Sequence, residues 1–431
     1  MEHSDSGGLS TVDLVAPATL ANPHGYFAEL VERAPVLWSE VHRAWLVTRY
    51  EDVLGAYRNA AIGSDRIGPY MQALPAEAGE RLRAMFDLLN RWLVFISPPD
   101  HTRLRGLVHK SFTPRRVRML RGKVERIALE LTTAMRTRLD GGESEVDLVD
   151  EFCVPLPGRV IADMFGVPEE DGDRLRYWAE ELGLFINGST KNSGRDHRVA
   201  QAMQEFEAYL EELIARYRRR PAENILSGLV AAKELDDALT DRELVATSML
   251  ILDAGYKTVQ NALGNALAQL LDSPPDYRRL MADLALVPTA VEECLRLEGP
   301  SRLSVRRATE DLELGGHRIS KGSRIYLVQA AANRDPRRFS EPQSLRIDRA
   351  ENPHLSFGMG IHFCLGAALA RMELTGALTV FLQQMPRLEL ALPAGSLRRH
   401  RLLLLNGLER VPVRLASGGS PVSKGAAAHD D

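Results

Sequence analysis

One segment constrains this chain more than any other. It is Phe357-Gly358-Met359-Gly360-Ile361-His362-Phe363-Cys364-Leu365-Gly366, followed directly by the apolar helical run Ala367-Ala368-Leu369-Ala370. It sets one cysteine in a glycine-rich loop at the start of a helix, and a cysteine there has two readings. As a small apolar residue it would be inert packing. As a thiolate it would need electropositive surroundings, which free backbone N–H groups and the positive end of a helix supply. The glycines favour the second reading, because residues without Cβ let the backbone approach a large flat ligand closely.

The whole run, F-G-x-G-x-H-x-C-x-G, resembles the haem-ligand signature of the cytochromes P450 in their soluble bacterial form. The resemblance extends from about Val36 to about Val413. It implies a mainly α fold with a minor β part, built as a single haem-containing domain. It also implies haem b held through Cys364, an axial thiolate that pushes electron density onto the iron and favours O–O cleavage. Phe357, Gly358 and Gly366 would then shape the loop against the cofactor. His362, two residues before the cysteine, would be a donor to a haem propionate.

A chain of 431 residues could hold two or three domains. Its interior carries no Gly/Ser- or Pro-rich linker and no repeat, so one domain is expected over 21–415. An N-terminal extension over 1–20 and a disordered tail over 416–431 would flank it. The net charge of -4 gives no electrostatic case for nucleic acid. Three cysteines, Cys153, Cys294 and Cys364, are too sparse and odd a set for a disulfide framework. The polar N-terminus has no signal-peptide pattern, and no window reaches the ~18 apolar residues of a membrane span. A cytoplasmic protein is therefore expected.

Val36 to Val41 and Ala44 to Thr48 read as a β-hairpin, and Leu312 to Ile319 with Ser323 to Val328 as a second strand pair with glycine turns. Helical periodicity runs over Val124 to Leu139, Val199 to Tyr217, Asp241 to Leu271, Val287 to Leu297 and Leu365 to Gln384.

Glu293 and Arg296 lie three residues apart on one helix face and can pair. By the resemblance they are the E-x-x-R pair, buried so as to brace the loop beneath the haem. The arginine that often completes this group is replaced by Ser344, which leaves Arg346 or Arg349 to substitute. Two haem propionates entering a protein interior need cationic donors. The stretch Pro98-Pro99-Asp100-His101-Thr102-Arg103-Leu104-Arg105 resembles the family's P-P-x-H-x-x-x-R, with His101 and Arg105 four apart on one face. Arg306 matches a further propionate arginine.

The Asp241 to Leu271 helix contains Asp253-Ala254-Gly255-Tyr256-Lys257-Thr258. A mid-helix glycine costs ~1 kcal/mol against alanine, and a threonine three residues later can bond back to a carbonyl and bend the helix. Together they predict a local opening for oxygen and water. The resemblance assigns Ala254 and Gly255 to the oxygen groove and the Thr258 hydroxyl to oxygen activation. It also asks for an acid before the threonine, and this chain has Lys257, which has donors and no acceptor. Asp253 precedes Lys257 by four residues, the favourable order for a helical ion pair. Three readings stay open. The two form a structural bridge while water alone relays protons; or Asp253 faces the pocket and anchors a cationic or hydroxylated substrate; or Lys257 anchors an acidic one.

By fold-level analogy the pocket draws on 64–93, 182–192, 250–258, 301–305 and 403–405. Leu93, Phe185, Leu250, Leu303 and Leu404 would line it, which suits a lipophilic small molecule. Arg103, Lys110, Arg115, Arg116, Arg118 and Arg121 form a basic cluster on the face that the family offers to an acidic ferredoxin. No phosphate-cradling G-x-G-x-x-G follows a strand, so electrons would come from a separate ferredoxin and its reductase, or from peroxide. The expected activity is insertion of one oxygen atom from O2 into an apolar secondary metabolite. Lys257 keeps open a peroxide-driven or radical-coupling enzyme, and a non-catalytic haem sensor is a further alternative.

Overall fold

The computed structural model describes residues 8–72, 74–110, 114–187, 193–232 and 239–416. Its central element is the helix Asp241–Leu271, apolar on nearly every side and buried along most of its length. That is the pattern of a helix with neighbours all round. A capping box starts it: Thr240 Oγ1 accepts from the Glu243 N–H, and the Glu243 carboxylate accepts from the Thr240 N–H at 2.9 Å. Arg103 also pairs with Glu243, tying the helix Asp100–His109 to this start.

Two apolar cores hold the long helix. One includes Phe86, Trp92, Phe165, Phe206 and Leu250. The other includes Val124, Phe152, Leu263, Leu378 and Phe381. The expected helices all form, and two of them are longer than their periodicity, as Pro114–Asp140 and Ser193–Arg219. Their first turns are charge-rich and carry no apolar stripe to detect. Among the described residues no helix is long and apolar enough to cross a membrane.

The main sheet runs in the order 36–39, 44–47, 324–327, 304–308, 62–63. The first hairpin is as expected, with Val36 opposite Val47. The second expected pair is corrected. Leu312–Leu314 and His317–Ile319 form their own hairpin around Gly315 and Gly316. Arg324–Leu327 instead lies in the middle of the main sheet, parallel to 44–47 and antiparallel to 304–308. Its Ile325, Tyr326 and Leu327 are all buried, as a strand covered on both faces requires. A small sheet of 146–147, 388–390 and 412–415 was not foreseen. Its strands are too short to show alternation.

Of the residues expected as an extension, 1–7 lie outside the described residues and those from 8 on belong to the packed body. Leu9 and Leu14 are buried with Phe27, Leu30 and Leu46, and the Ser10 carbonyl accepts from the Glu40 N–H at 2.9 Å. The expected tail lies, from 417 on, outside the described residues.

Candidate active site

The cysteine loop turns on two left-handed glycines, Gly358 at φ 68° and Gly360 at φ 72°. A Cβ on Gly360 would sit 2.7 Å from the Tyr57 carbonyl oxygen, so no side chain fits. The Cys364 N–H donates to the Phe357 carbonyl at 2.9 Å, and the Phe363 N–H to that of Gly360 at 3.0 Å. Gly366 caps the helix Ala367–Gln384. Cys364 has open surface, although protein atoms surround it closely. Burial pushes its thiol up. The Gly366 N–H, Arg105 and Arg371 pull it down and do not win. The expectation that loop and helix end alone keep the sulfur ionised is therefore corrected. A bound cation would do so, since coordination deprotonates a thiol outright.

Glu293 and Arg296 are fully buried and form a fork, with Arg296 Nε and Nη2 each donating to Glu293 at 2.8 Å. The third partner is Arg349, whose Nε lies 3.1 and 3.0 Å from the two Glu293 oxygens. Arg346 contributes its backbone N–H at 3.0 Å, and Asn352 Nδ2 donates at 3.1 Å. Burial pushes the Glu293 carboxyl up, and these donors, Arg296 first, bring it below its ordinary value. Arg296 also donates to the carbonyls of Asn333 and Pro342 at 2.8 Å, holding the chain that leads into the loop. The neighbouring Glu292, which sequence reasoning missed, braces the loop's other side. Arg371 grips it with two bonds of 2.8 Å and lies 4.3 Å over the Phe357 ring. His354 Nε2 meets Glu292 at 3.2 Å.

Four expected basic residues converge near the loop. Arg105 Nη2 donates to the Phe363 carbonyl at 2.6 Å. The His101 and His362 rings lie 4.4 Å apart, and both His101 nitrogens are buried without a partner. Arg306 has only the Val305 carbonyl, at 2.9 Å, and the Tyr57 ring. A fifth, Arg66, was missed. It lies 4.6 Å over Phe95, and burial, with Arg306 next, lowers its pKa to about 10. Burial, then Arg306, His101 and Arg105, lower His362 to about 3, so its ring is neutral. Among the described residues no carboxylate pairs with any of the five.

On the long helix Ala254 is exposed to the interior, and Thr258 Oγ1 donates to the Ala254 carbonyl at 2.8 Å. The helix remains unbroken there. Gly255 faces elsewhere: a Cβ on it would lie 2.8 Å from Ile161 Cδ1, so this glycine serves the crossing with the helix Pro155–Phe165. Asp253 and Lys257 make no ion-pair contact and influence each other only through space, which removes the structural bridge. Burial raises the Asp253 carboxyl to about 7, against a smaller downward pull from Lys257. Lys257 lines a different cavity, with Glu180 and His400.

The model of the family described as Cytochrome P450 matches residues 78–390. Cytochrome P450 107B1 of Saccharopolyspora erythraea is 39% identical over 374 residues, covering 86% of this chain and 89% of that protein. The chain belongs to the cytochrome P450 family. The mycinamicin IV hydroxylase/epoxidase of Micromonospora griseorubida is 36% identical, with 90% of this chain and 94% of that protein covered. The solved structure of PksS, the bacillaene polyketide synthase cytochrome P450 of Bacillus subtilis, superposes with a TM-score of 0.84 at 33% identity, covering 94% and 100%. The protein is thus a P450 monooxygenase, an oxidoreductase, and the family's cofactor is haem with an axial cysteine thiolate.

This chain's own residues fit that group. Arg66, Arg105 and Arg306 are partly buried cations without a carboxylate among the described residues, a costly arrangement on its own; two propionates answer them, with the neutral His101 and His362 rings as further donors. The Cys364 thiol, with free surface at the head of its helix, suits iron, and Gly358 and Gly360 let the loop fold tightly against Tyr57. The apolar candidates divide. Leu93 and Leu250 are buried and Phe185 packs against the same core, its ring 5.9 Å from Tyr70. Leu303 and Leu404 share another cluster. Leu93 also presents its carbonyl to His362, which places it toward the basic group. Of the basic surface cluster, Arg103 and Arg121 are tied to Glu243 and Glu125, while Lys110 and Arg118 are exposed. The side chains of Arg115 and Arg116 lie outside the described residues.

Proposed function

We propose that this P450 inserts one oxygen atom of O2 into a lipophilic small molecule of secondary metabolism, with electrons from a separate ferredoxin and its reductase. The observation that carries this reading is the Cys364 thiol in its glycine loop beside a cluster of partly buried arginines, Arg66, Arg105 and Arg306, that has no carboxylate partner among the described residues. Cys364 would hold the iron, and His101, Arg105, Arg306, His362 and Arg66 would hold the propionates. Haem in that setting supplies O2 activation and O–O cleavage.

The remaining roles are proton and shape roles. The Thr258 hydroxyl donates its one hydrogen to the Ala254 carbonyl, which leaves its lone pairs to accept a hydrogen bond from water; handing a proton inward would require it to leave that carbonyl. Asp253, in the next position back from Ala254 and raised to about 7, exchanges a proton at neutral pH. Leu250, Phe185, Leu303 and Leu404 offer apolar walls to the substrate. Lys110 and Arg118 belong to the face that meets an acidic ferredoxin.

The test uses purified holoprotein. The carbon monoxide complex of the reduced protein should give the thiolate-type band. Turnover with NADH, ferredoxin, reductase and labelled O2 on a macrolide and terpenoid panel should give product carrying one labelled oxygen. Unlabelled product, or product from peroxide alone, would overturn the monooxygenase route.

A further inference from the structure

Lys257 departs from its family's pattern and lies unused by the chemistry above. It faces a cavity of about 480 Å³ between the end of the helix Gly172–Ile186, the segment 400–405 and the long helix. Gly183, Leu184, Leu402 and Leu405 give this cavity apolar walls. The polar groups gather at one side. Among the described residues Lys257 has no hydrogen bond or ion pair there, and burial lowers its pKa, the mark of a cation that has lost water without gaining a partner. Glu180 attracts it most, yet the Glu180 carboxylate also leans outward to Arg176 at 3.9 Å. Asp253 attracts it less, and Arg176 repels it.

His400 Nε2 is buried with no partner. Lys257, Glu409 and Arg302 all act on that ring through space. Arg302 is itself buried, with Nε and Nη2 unpaired, and adds positive field. Asn187 Nδ2 is committed to the Gly183 carbonyl at 2.6 Å, and Arg401, whose Nε reaches the Val15 carbonyl at 3.4 Å, is exposed, so its charge is met by water. That places an ammonium near an unpartnered imidazole nitrogen in an apolar cavity of a size that suits a small-molecule ligand.

We infer that this cavity binds the carboxylate of an apolar acid, with Lys257 Nζ as its ionic partner and His400 Nε2 as its second donor. Glu180, the one carboxylate among the described lining residues, limits the site to a single negative charge. That the acid is the substrate rests on the oxygenase reading; that it binds does not.

The experiment titrates the holoprotein with dodecanoate, methyl dodecanoate and dodecyltrimethylammonium, which share one tail. Heat and haem spin state are read in parallel. Dodecanoate should bind ten- to a hundredfold more tightly than the ester, the size of one charge-assisted hydrogen bond, and the ammonium should bind most weakly. Lys257→Gln should remove the preference and leave ester binding unchanged, and Lys257→Arg should restore most of it. Equal affinities for acid and ester, or a preference that survives Lys257→Gln, would overturn the site. Heat with no spin change would uphold the site and overturn the acid as substrate. A missing thiolate band would sink the oxygenase reading and leave the calorimetric result standing.

Discussion

Arg349 is the residue on which the brace of the cysteine loop can be tested. Methionine in its place keeps most of the apolar stem and removes the guanidinium. The side chain is buried. Its Nε is shared between the two Glu293 oxygens at 3.1 and 3.0 Å, and Nη1 and Nη2 reach the carbonyls of Ser340 and Glu341 at 2.9 and 3.3 Å. Hydrogen bonds to charged groups contribute about 1.5–3 kcal/mol each. Counting the shared Nε bond once and discounting the long one, Arg349→Met should cost about 3 kcal/mol. Glu293 keeps the Arg296 fork, the Arg346 N–H and Asn352. Glu293→Gln should cost more, about 3–5 kcal/mol, because it leaves two buried guanidinium groups without an anion. Arg349→Lys keeps the charge and loses the fork, so it should fall between wild type and Arg349→Met. Denaturant midpoints of the holoprotein, followed by haem absorbance and by helix content, measure all three. The double variant should sit near Glu293→Gln alone, with a coupling of about 1.5–3 kcal/mol. An Arg349→Met midpoint within about 0.5 kcal/mol of wild type, or strict additivity, would refute the reasoning.

Three further outcomes follow from ionisable groups held away from water without an ion-pair partner among the described residues. Glu373 is 2% exposed with an unpaired Oε2, and burial raises it from 4.5 to about 8. Below pH 4.5 it is neutral folded or unfolded; as pH rises toward 8 the unfolded chain releases a proton that the folded one keeps, so stability falls. Glu373→Gln should flatten that decline and gain up to about 3 kcal/mol at pH 7; parallel midpoint–pH curves for the two proteins would contradict it. Arg306→Leu should act in opposite directions on the two forms of the protein, raising the melting temperature of the haem-free protein while weakening haem retention in a transfer assay. A lower melting temperature in both would count against a site built for an anion. Asp253 is raised to about 7, so its protonated form is present below that pH and lost above it. Product formed per NADH should fall through pH 7, and Asp253→Asn should be lower and flat; an unchanged profile would remove Asp253 from the proton route.

What the sequence made legible was whatever depends on near neighbours. The long helix was readable end to end because its capping box and apolar content lie within its own residues. The cysteine loop was readable because its glycines are required by its own turn. Arg349 stayed undecided against Arg346, since the choice depends on how the chain after Ser340 folds back onto a helix more than fifty residues earlier. Arg66 was invisible for a similar reason: a single arginine in a loop shows nothing until Phe95 and Arg306 are brought beside it. Lys257 is the most instructive. Helical spacing put Asp253 and Lys257 within reach of each other, but it could not say which side of the helix the protein leaves open. Adjacent helical residues point about 100° apart. That rotation turns Thr258 toward the interior beside Ala254 and Lys257 toward Glu180 and His400. Lysine here is therefore not a failed acid in the oxygen-activating turn. It belongs to a second cavity that the same turn of helix serves, and its chemistry is to be sought there.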